Sequence, residues 1–398
     1  MAQFSLTTAS ELFKITYGKL SDNVYNSSNV ILGRTKKSYD FVGKRKEVAV
    51  PMSFQGGVGS GSLPVANPAN CADAQITAKK VYGVCEIDRE AIKAAMNDEG
   101  SFVRGTKHTV EKTVESYMRN MSRMLFNGLA NGSVGTIAAG GVTDNTGGNY
   151  SLVISTASWK EANFEEGDYI NIESGNLDLF EVQAVVPSTK TVTVQRITGS
   201  QVPVAADVMF MQGSEGTDIT GIQTVLQTTS GLLYGVPVAR RWQAGHQKNA
   251  GGSGITPDKL NEGILEIQRK CGKVPNLIVT SFTQYRKILN FLEDAKEYCV
   301  EPRSPELQGK ISFKGVEYMS SAGAIPIFPE RFVDDDKICL LNDNYMELHH
   351  RPGQGWFDDD GTVFLRKSSS DAYEARYGGY MELYMPPTFH GYIHNLAI

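Results

Sequence analysis

Residues 106–126, TKHTVEKTVESYMRNMSRMLF, place apolar side chains at Val110, Val114, Tyr117, Met118, Met121, Met124 and Leu125. Spacings of three and four are the period of one helix face, so the stretch predicts an amphipathic α-helix on the order of 30 Å long. Glu111 and Glu115 stand near its start and Arg119 and Arg123 nearer its end, the order a helix dipole favours. Three methionines in one stripe suit either an adaptable binding face or ordinary core, and core is the expectation. Beyond the helix comes NGLANGSVGTIAAGG (127–141), expected to be a glycine-rich loop. It lacks the GxxxxGK(S/T) of a phosphate cradle and follows a helix instead of preceding one, which argues against nucleotide binding.

Towards the N-terminus, residues 1–34 show no clean periodicity and read as an extended arm, with a short helical stretch compatible with Ser10 to Tyr17. Residues 35–54 and 73–88 are strand-like runs. Between them QGGVGSGSLPVANPANCA is too long for a tight turn, so the unit reads as a two-stranded finger with a flexible tip. Such a ribbon is marginal by itself and needs a surface to lie against. Asp88 can cap a short helix, DREAIKAAMND, expected to end at Gly100.

Towards the C-terminus, residues 150–212 change character. GDYINI, FEVQAVV, TVTVQRI and VMFMQ are short strands between turn residues, the pattern of a small antiparallel barrel or sandwich. A basic groove and an aromatic stacking set are both missing there, against an oligonucleotide-binding role. After GIQTVLQTTSGLLYGVPVARRWQA and KNAGGSG comes an α/β section. Thr256–Pro257 starts a helix with Leu260, Ile264, Ile267 and Cys271 on one side, and Gly272 ends it. The strand LIVTS leads to the helix FTQYRKILNFLED, capped from Thr280 or Ser281. ISFKGVEYMSS, AIPIFPE, KICLLN, MELHHR and the tyrosine-rich DAYEARYGGYMELYMPPTFHGYIHN continue as strands.

Composition bounds the function. With 398 residues, 41% hydrophobic and 21% charged, the chain is expected to be globular, with more than one domain or large insertions. A net charge of −5 argues against a protein that simply coats nucleic acid. No run approaches the roughly 18 to 20 apolar residues of a membrane helix, and MAQFSLTTASELFKITYG lacks a signal-peptide pattern, so a cytoplasmic site of synthesis is expected. Five scattered cysteines without a CxxC pair read as reduced thiols. Charge is polarised: residues 1–50 hold eight bases against four acids, a net of +4, and residues 330–360 hold nine acids against three bases, a net of −6. These are either two solvated faces or a basic arm that lies on an acidic patch of another copy.

Four segments, in this order, resemble the major capsid proteins of tailed bacteriophages, the Hong Kong 97 capsid fold family. They are the finger at about 35–88, the helix at 104–127 with its exit MLFNGLANG, LYGVPVARRWQAG (233–245) with Arg240 or Arg241 before Trp242, and ARYGGYMELYMPPTFHGYIHN. The resemblance implies an α+β fold with an N-terminal arm (1–34), an E-loop finger (35–88) and a peripheral domain with its spine helix (89–149). An inserted small β-barrel or sandwich domain (150–212), a peripheral return (213–250), an axial domain (251–350) and closing peripheral strands (351–398) follow. The insert lies outside the minimal fold. A long helical extension that would act as a fused scaffold is missing, so a separate scaffolding protein is expected unless assembly needs none. Lys44, Lys46, Lys79 and Lys80 flank the finger, but no partner acid is assigned, so covalent crosslinking of the founding member's kind is not expected.

The function implied is a head protein that self-assembles into hexamers and pentamers of an icosahedral virion shell around double-stranded DNA, built in the bacterial cytoplasm. Partners implied are further copies of itself, a portal protein, the scaffolding protein, decoration proteins and non-specifically contacted DNA, with no membrane and no cofactor. The assembly interface is expected at Lys36, Lys37, Lys44, Arg45 and Lys46, docked on Asp334, Asp335 and Asp336 of a neighbour. An encapsulin-like nanocompartment on the same fold is the alternative, distinguished by particle contents. A hydrolase or carbohydrate-binding protein working through the β insert is a third, distinguished by monomeric elution with glycan binding.

No enzyme signature competes. His349 and His350 are adjacent and would face opposite sides of a strand, and His390 and His394 would lie roughly 13 Å apart along one. With no HExxH or CxxC nearby they read as satisfied structural histidines. Asp334–Asp336 and Asp358–Asp360 lack the spaced DxDxDG of a calcium loop and read as solvated turns. GxSxG and a glycine-rich dinucleotide turn are also missing.

Overall fold

A computed structural model describes residues 30–41, 43–53, 61, 70–89, 99–126, 132–173, 175–239, 241–294, 316–320, 323–351, 355–358, 361–368 and 370–398. Most of the expected arm, most of the finger tip, residues 90–98 of the expected short helix and Arg240 lie outside the described residues. In chain order the elements are α1 (Val30–Arg34), β1 (Lys36–Ser38), β2 (Lys46–Ser53), β3 (Asn70–Ile76), β4 (Lys79–Asp88) and α2 (Glu99–Phe126). Then come β5 (Ser133–Asp144), β6 (Asn149–Ile154), β7 (Tyr169–Ile172), β8 (Leu179–Val186), β9 (Thr191–Arg196) and β10 (Val208–Met211). They are followed by α3 (Ile222–Gln227), β11 (Leu232–Leu233), β12 (Val236–Pro237), β13 (His246–Asn249), α4 (Pro257–Cys271), β14 (Leu277–Thr280) and α5 (Phe282–Asp294). The last are β15 (Val316–Ser320), β16 (Gly323–Pro329), β17 (Ile338–Leu341), β18 (Glu347–His350), β19 (Gly355–Trp356), β20 (Leu365–Arg366), β21 (Ala372–Tyr384) and β22 (Gly391–His394).

The apolar stripe does what its period predicts: Val110, Val114, Tyr117, Met118, Met121, Met124 and Leu125 are all buried on α2, and the methionines are core. The helix is described from Glu99, earlier than expected, so Gly100 lies within it.

The strand β21 organises the sheet that α2 packs on. Along one edge it carries β18, β19 and β20 in succession, along the other β4, and β1 adds in parallel beyond β18. This corrects the expected finger. Only β2 and β3 form the hairpin, from Lys46↔Ile76 to Ser53↔Asn70. The run 73–88 divides at Thr77–Ala78, and β4 pairs with β21 from Asp88↔Ala372 to Lys79↔Met381. Burial explains the split. Val81 and Cys85 face inward, and Gly83 meets α2 so closely that an added Cβ would stand 3.3 Å from both Thr113 Cγ2 and Tyr117 Cβ. The finger base also finds support within its own chain. Val50, Ala74 and Ile76 are buried in the main core, and the Gln75 N–H donates to Tyr234 O at 2.7 Å.

A closed barrel of six strands runs β10-β5-β6-β9-β8-β7, with Leu152, Ile154, Phe180, Val182, Val192 and Val194 inside. It begins at Ser133, seventeen residues of chain before the expected 150, because the supposed glycine-rich loop is mostly β5. Its glycines mark close approach and a bulge instead. A Cβ on Gly135 would meet Ile154 at 3.1 Å and Phe164 at 3.2 Å, and Gly140, at φ +67, sits where the register shifts between Ile137 and Val142.

The second six-stranded sheet runs β13-β22-β17-β14-β16-β15. One face packs Ile278, Leu340 and Ile393 against Leu260, Ile264 and Ile267 of α4 and Ile288 of α5; the other sends Leu277, Val279, Cys339 and Leu341 into the main core. The caps are as expected: Thr256 Oγ1 accepts from the Lys259 N–H at 3.4 Å, Gly272 has φ +71, and Ser281 Oγ accepts from the Gln284 N–H at 3.2 Å. Pairing crosses the expected segments. β13 and β22, expected in the return (213–250) and the closing strands (351–398), both belong to this sheet, whereas β18, expected in 251–350, belongs with β21.

Candidate assembly interface

The basic residues expected at the interface gather at the finger root. β1 lies parallel to β18, with Lys36 opposite Glu347 and Lys37 opposite Leu348, and Lys36 Nζ donates to Asn344 O at 2.9 Å. Arg45 pairs with Glu47 at 2.7 Å and donates to Gln75 Oε1 at 3.3 Å, bridging the two finger strands. Lys46 pairs with Asp40 at 2.9 Å, and its hydrogen bond holds that carboxyl below its usual range. Lys44 is exposed.

The acidic triplet sits elsewhere, in the turn before β17, and is more engaged than a solvated turn. Asp334 lies between Lys160 and Lys337, the latter at 2.5 Å. Burial would raise its pKa, but the two ammonium groups outweigh burial and hold it below the ordinary value. Asp335 accepts from Thr283 Oγ1 at 3.0 Å, and Asp336 Oδ2 accepts from the Asn395 N–H at 3.0 Å. Asp335 is the exposed member. In the other triplet Asp358 O accepts from the Gly361 N–H at 2.8 Å, while Asp359 and Asp360 lie outside the described residues.

Sequence reasoning missed the residues that mount the barrel. Arg119 and Arg123, one turn apart on α2, each grip an acid from the chain flanking or within the barrel. Arg119 donates to both carboxylate oxygens of Asp168 at 3.0 and 2.8 Å, and its Nε lies 3.1 Å from Glu165. Arg123 pairs with Asp218 at 2.9 Å and donates to Ser214 Oγ at 2.9 Å, with both members of the ion pair 5% exposed. Lys160 adds Asp334 and Phe332 O, tying the barrel to the second sheet. The i,i+4 arginines were visible but looked like dipole complements, since burial of a guanidinium cannot be read from spacing.

The sequence over residues 64–361 matches the family described as SU10 major capsid protein. The chain belongs to that family. It is a phage major capsid protein, a structural subunit of the virion capsid. No curated protein matches the sequence. Among solved structures, the capsid asymmetric unit of cyanophage A-1(L) shares 12% identity over 93% of each chain at a TM-score of 0.55, a likeness of fold alone. A chain of Gordonia phage Cozz gives 9% identity over 93% of this chain and 86% of that one, at a TM-score of 0.43. The encapsulin SrpI of Synechococcus elongatus gives 10% over 91% and 85%, at 0.38. Scores below 0.5 bear on nothing here; it is the family match over residues 64–361 that leaves the encapsulin alternative unfavoured.

His349, His350 and His390 of this capsid protein are buried, and not all of them are satisfied. Burial pushes His350 down to about 4 and His390 down to about 3. His390 Nδ1 accepts from the Asn342 N–H at 3.0 Å, but neither ring nitrogen of His350 has a hydrogen-bond partner among the described residues. The correction has a physical reason: β18 lies between β1 and β21, so its backbone is paired while its imidazoles face packed side chains. Among the described residues no three His, Cys, Asp or Glu side chains could hold a metal ion, and no helix is long and apolar enough to cross a membrane.

Proposed function

We propose that this major capsid protein assembles as hexamers and pentamers of an icosahedral shell around double-stranded DNA, in the cytoplasm of the host. In this reading the fold is of the Hong Kong 97 type. The β2–β3 hairpin is the E-loop, α2 with the β21 sheet is the peripheral domain, the second sheet is the axial domain, and the barrel is an insert. The protein acts by assembly and not by catalysis. The observation that carries the reading is the hairpin: two strands, Lys46–Ser53 and Asn70–Ile76, that pair with no third strand among the described residues. A two-stranded ribbon of this kind is marginal in water, and a neighbouring copy is the surface that would support its outer part.

The contacts proposed across subunits are the basic cluster Lys36, Lys37, Lys44, Arg45 and Lys46 against acidic surface of the next copy around Asp334, Asp335 and Asp336. Exposed Lys44 and Asp335 are the members best placed to add a partner. DNA contact would be weak and non-specific, in keeping with the net charge of −5. A portal protein, a separate scaffolding protein and decoration proteins complete the set of partners. Deleting residues 55–71 should leave a soluble, folded subunit that forms no shells. Particles of normal size in electron micrographs of that variant would refute the role given to the finger.

A further inference from the structure

We propose that Arg351 is a positioning residue for assembly, fixing the direction in which the hairpin leaves the body of the subunit. The inference rests on the reading of the hairpin as an assembly element. The strand β1 is laid along β18 residue by residue. Lys36, Lys37 and Ser38 stand opposite Glu347, Leu348 and His349, and Tyr39 then stacks on His350 with ring centroids 5.4 Å apart. Where this pairing ends, Arg351 takes over. Its own N–H donates to Tyr380 O at 2.9 Å, which anchors it on β21. Its guanidinium lies 5.2 Å from the Phe41 ring centroid and 5.8 Å from that of Tyr380. Nη2 donates to Gly43 O at 2.6 Å and to Lys44 O at 3.3 Å, just before β2 begins at Lys46.

One planar group therefore joins the closing strand, the buried Phe41 of the incoming run and two carbonyls at the hairpin root. The guanidinium is a rigid fork, so its bonds to two successive carbonyls hold only while residues 43 and 44 keep their direction. Gly43, at φ +86, gives the chain the left-handed turn that this direction needs. The second root is tied separately, through the Gln75 N–H to Tyr234 O. With both roots held, the ribbon has one exit direction. A lysine in place of Arg351 would keep the charge over the rings but present a single flexible ammonium.

The test uses full-length chains carrying Arg351→Ala, Arg351→Lys, Lys248→Ala or the deletion of 55–71, each followed by hydrogen exchange and by electron microscopy of particles. In Arg351→Ala, amide exchange over residues 43–53 should rise about tenfold, with native protection kept in α2 and β21. Its shells should be of mixed or altered diameter, with Arg351→Lys intermediate on both measures. Lys248→Ala, which removes an exposed ion pair with Glu262 of α4, should change neither. Unchanged exchange at the root in Arg351→Ala would overturn the pin. Faster exchange with shells of normal diameter would overturn its link to assembly. Normal shells from the deletion variant would instead overturn the reading of the finger, whatever Arg351 does. Should Arg351→Ala fail to fold, Arg351→Lys decides on the same two measurements.

Discussion

Glu382 and His350 lie on the two β-strands at the centre of one sheet, and burial moves them in opposite senses on the pH axis. Burial raises Glu382 to about 7, although the Thr220 N–H donates to its Oε1 at 2.6 Å. Its folded pKa lies above the unfolded value, so its contribution is complete below the ordinary carboxyl pKa and is lost as pH rises towards 7. Glu382→Gln keeps an acceptor for Thr220 and removes the titration. The variant subunit should match the parent in urea unfolding at pH 4 and exceed it by up to about 3 kcal/mol at pH 8. His350 behaves in reverse. Its folded value, about 4, lies below the ordinary imidazole range, so stability is intact above about 6.5 and is lost as pH falls towards 4. His350→Phe removes a buried imidazole with no hydrogen-bond partner and should flatten that acid limb; an unchanged slope between pH 6.5 and 4 would show that another group sets it. Both residues were plain in the sequence, but neither shift was, because burial is a property of the neighbours.

Among elements, α2 is the one that spacing described best, and its contacts are where spacing stopped. The stripe named the buried face, yet the close approach of β4 at Gly83 depends on a strand assignment that the finger-like pattern of 73–88 concealed. Gly83→Leu should push the helix from the sheet and lower subunit stability by about 1–3 kcal/mol in denaturant titration. Arg123→Ala would leave Asp218 buried without its cation. A loss of about 3–5 kcal/mol is expected, with faster hydrogen exchange over 212–218 as the barrel mounting loosens. A loss below 1 kcal/mol would mean that the ion pair is incidental. The barrel itself was legible as short strands between turns. Its first strand was not, because glycines that serve close packing and a bulge look the same in one dimension as glycines that serve a loop.

For the whole molecule, the polarised charge is the feature that bears on assembly. Lys44→Glu reverses an exposed charge at the finger root and should leave subunit stability within about 0.5 kcal/mol of the parent. Its particle yield in sedimentation should fall several-fold at low ionic strength, and raised salt should bring the parent down towards it, since exposed ion pairs are screened. Equal yields at low salt would remove Lys44 from the interface.

The sequence by itself determined the long amphipathic helix, the caps of α4 and α5 and the existence of a small β unit, while the capsid reading came from a family resemblance. The helix, the caps and the β unit are local properties, set by side-chain period and by residues that satisfy or free neighbouring backbone groups. Only the tertiary structure decided which strands pair. It took β4 out of the finger and gave it to β21, moved β13 and β22 into the second sheet, and began the barrel at Ser133. Pairing joins residues hundreds of positions apart, and a strand's own pattern specifies a buried face without naming the strand that completes it.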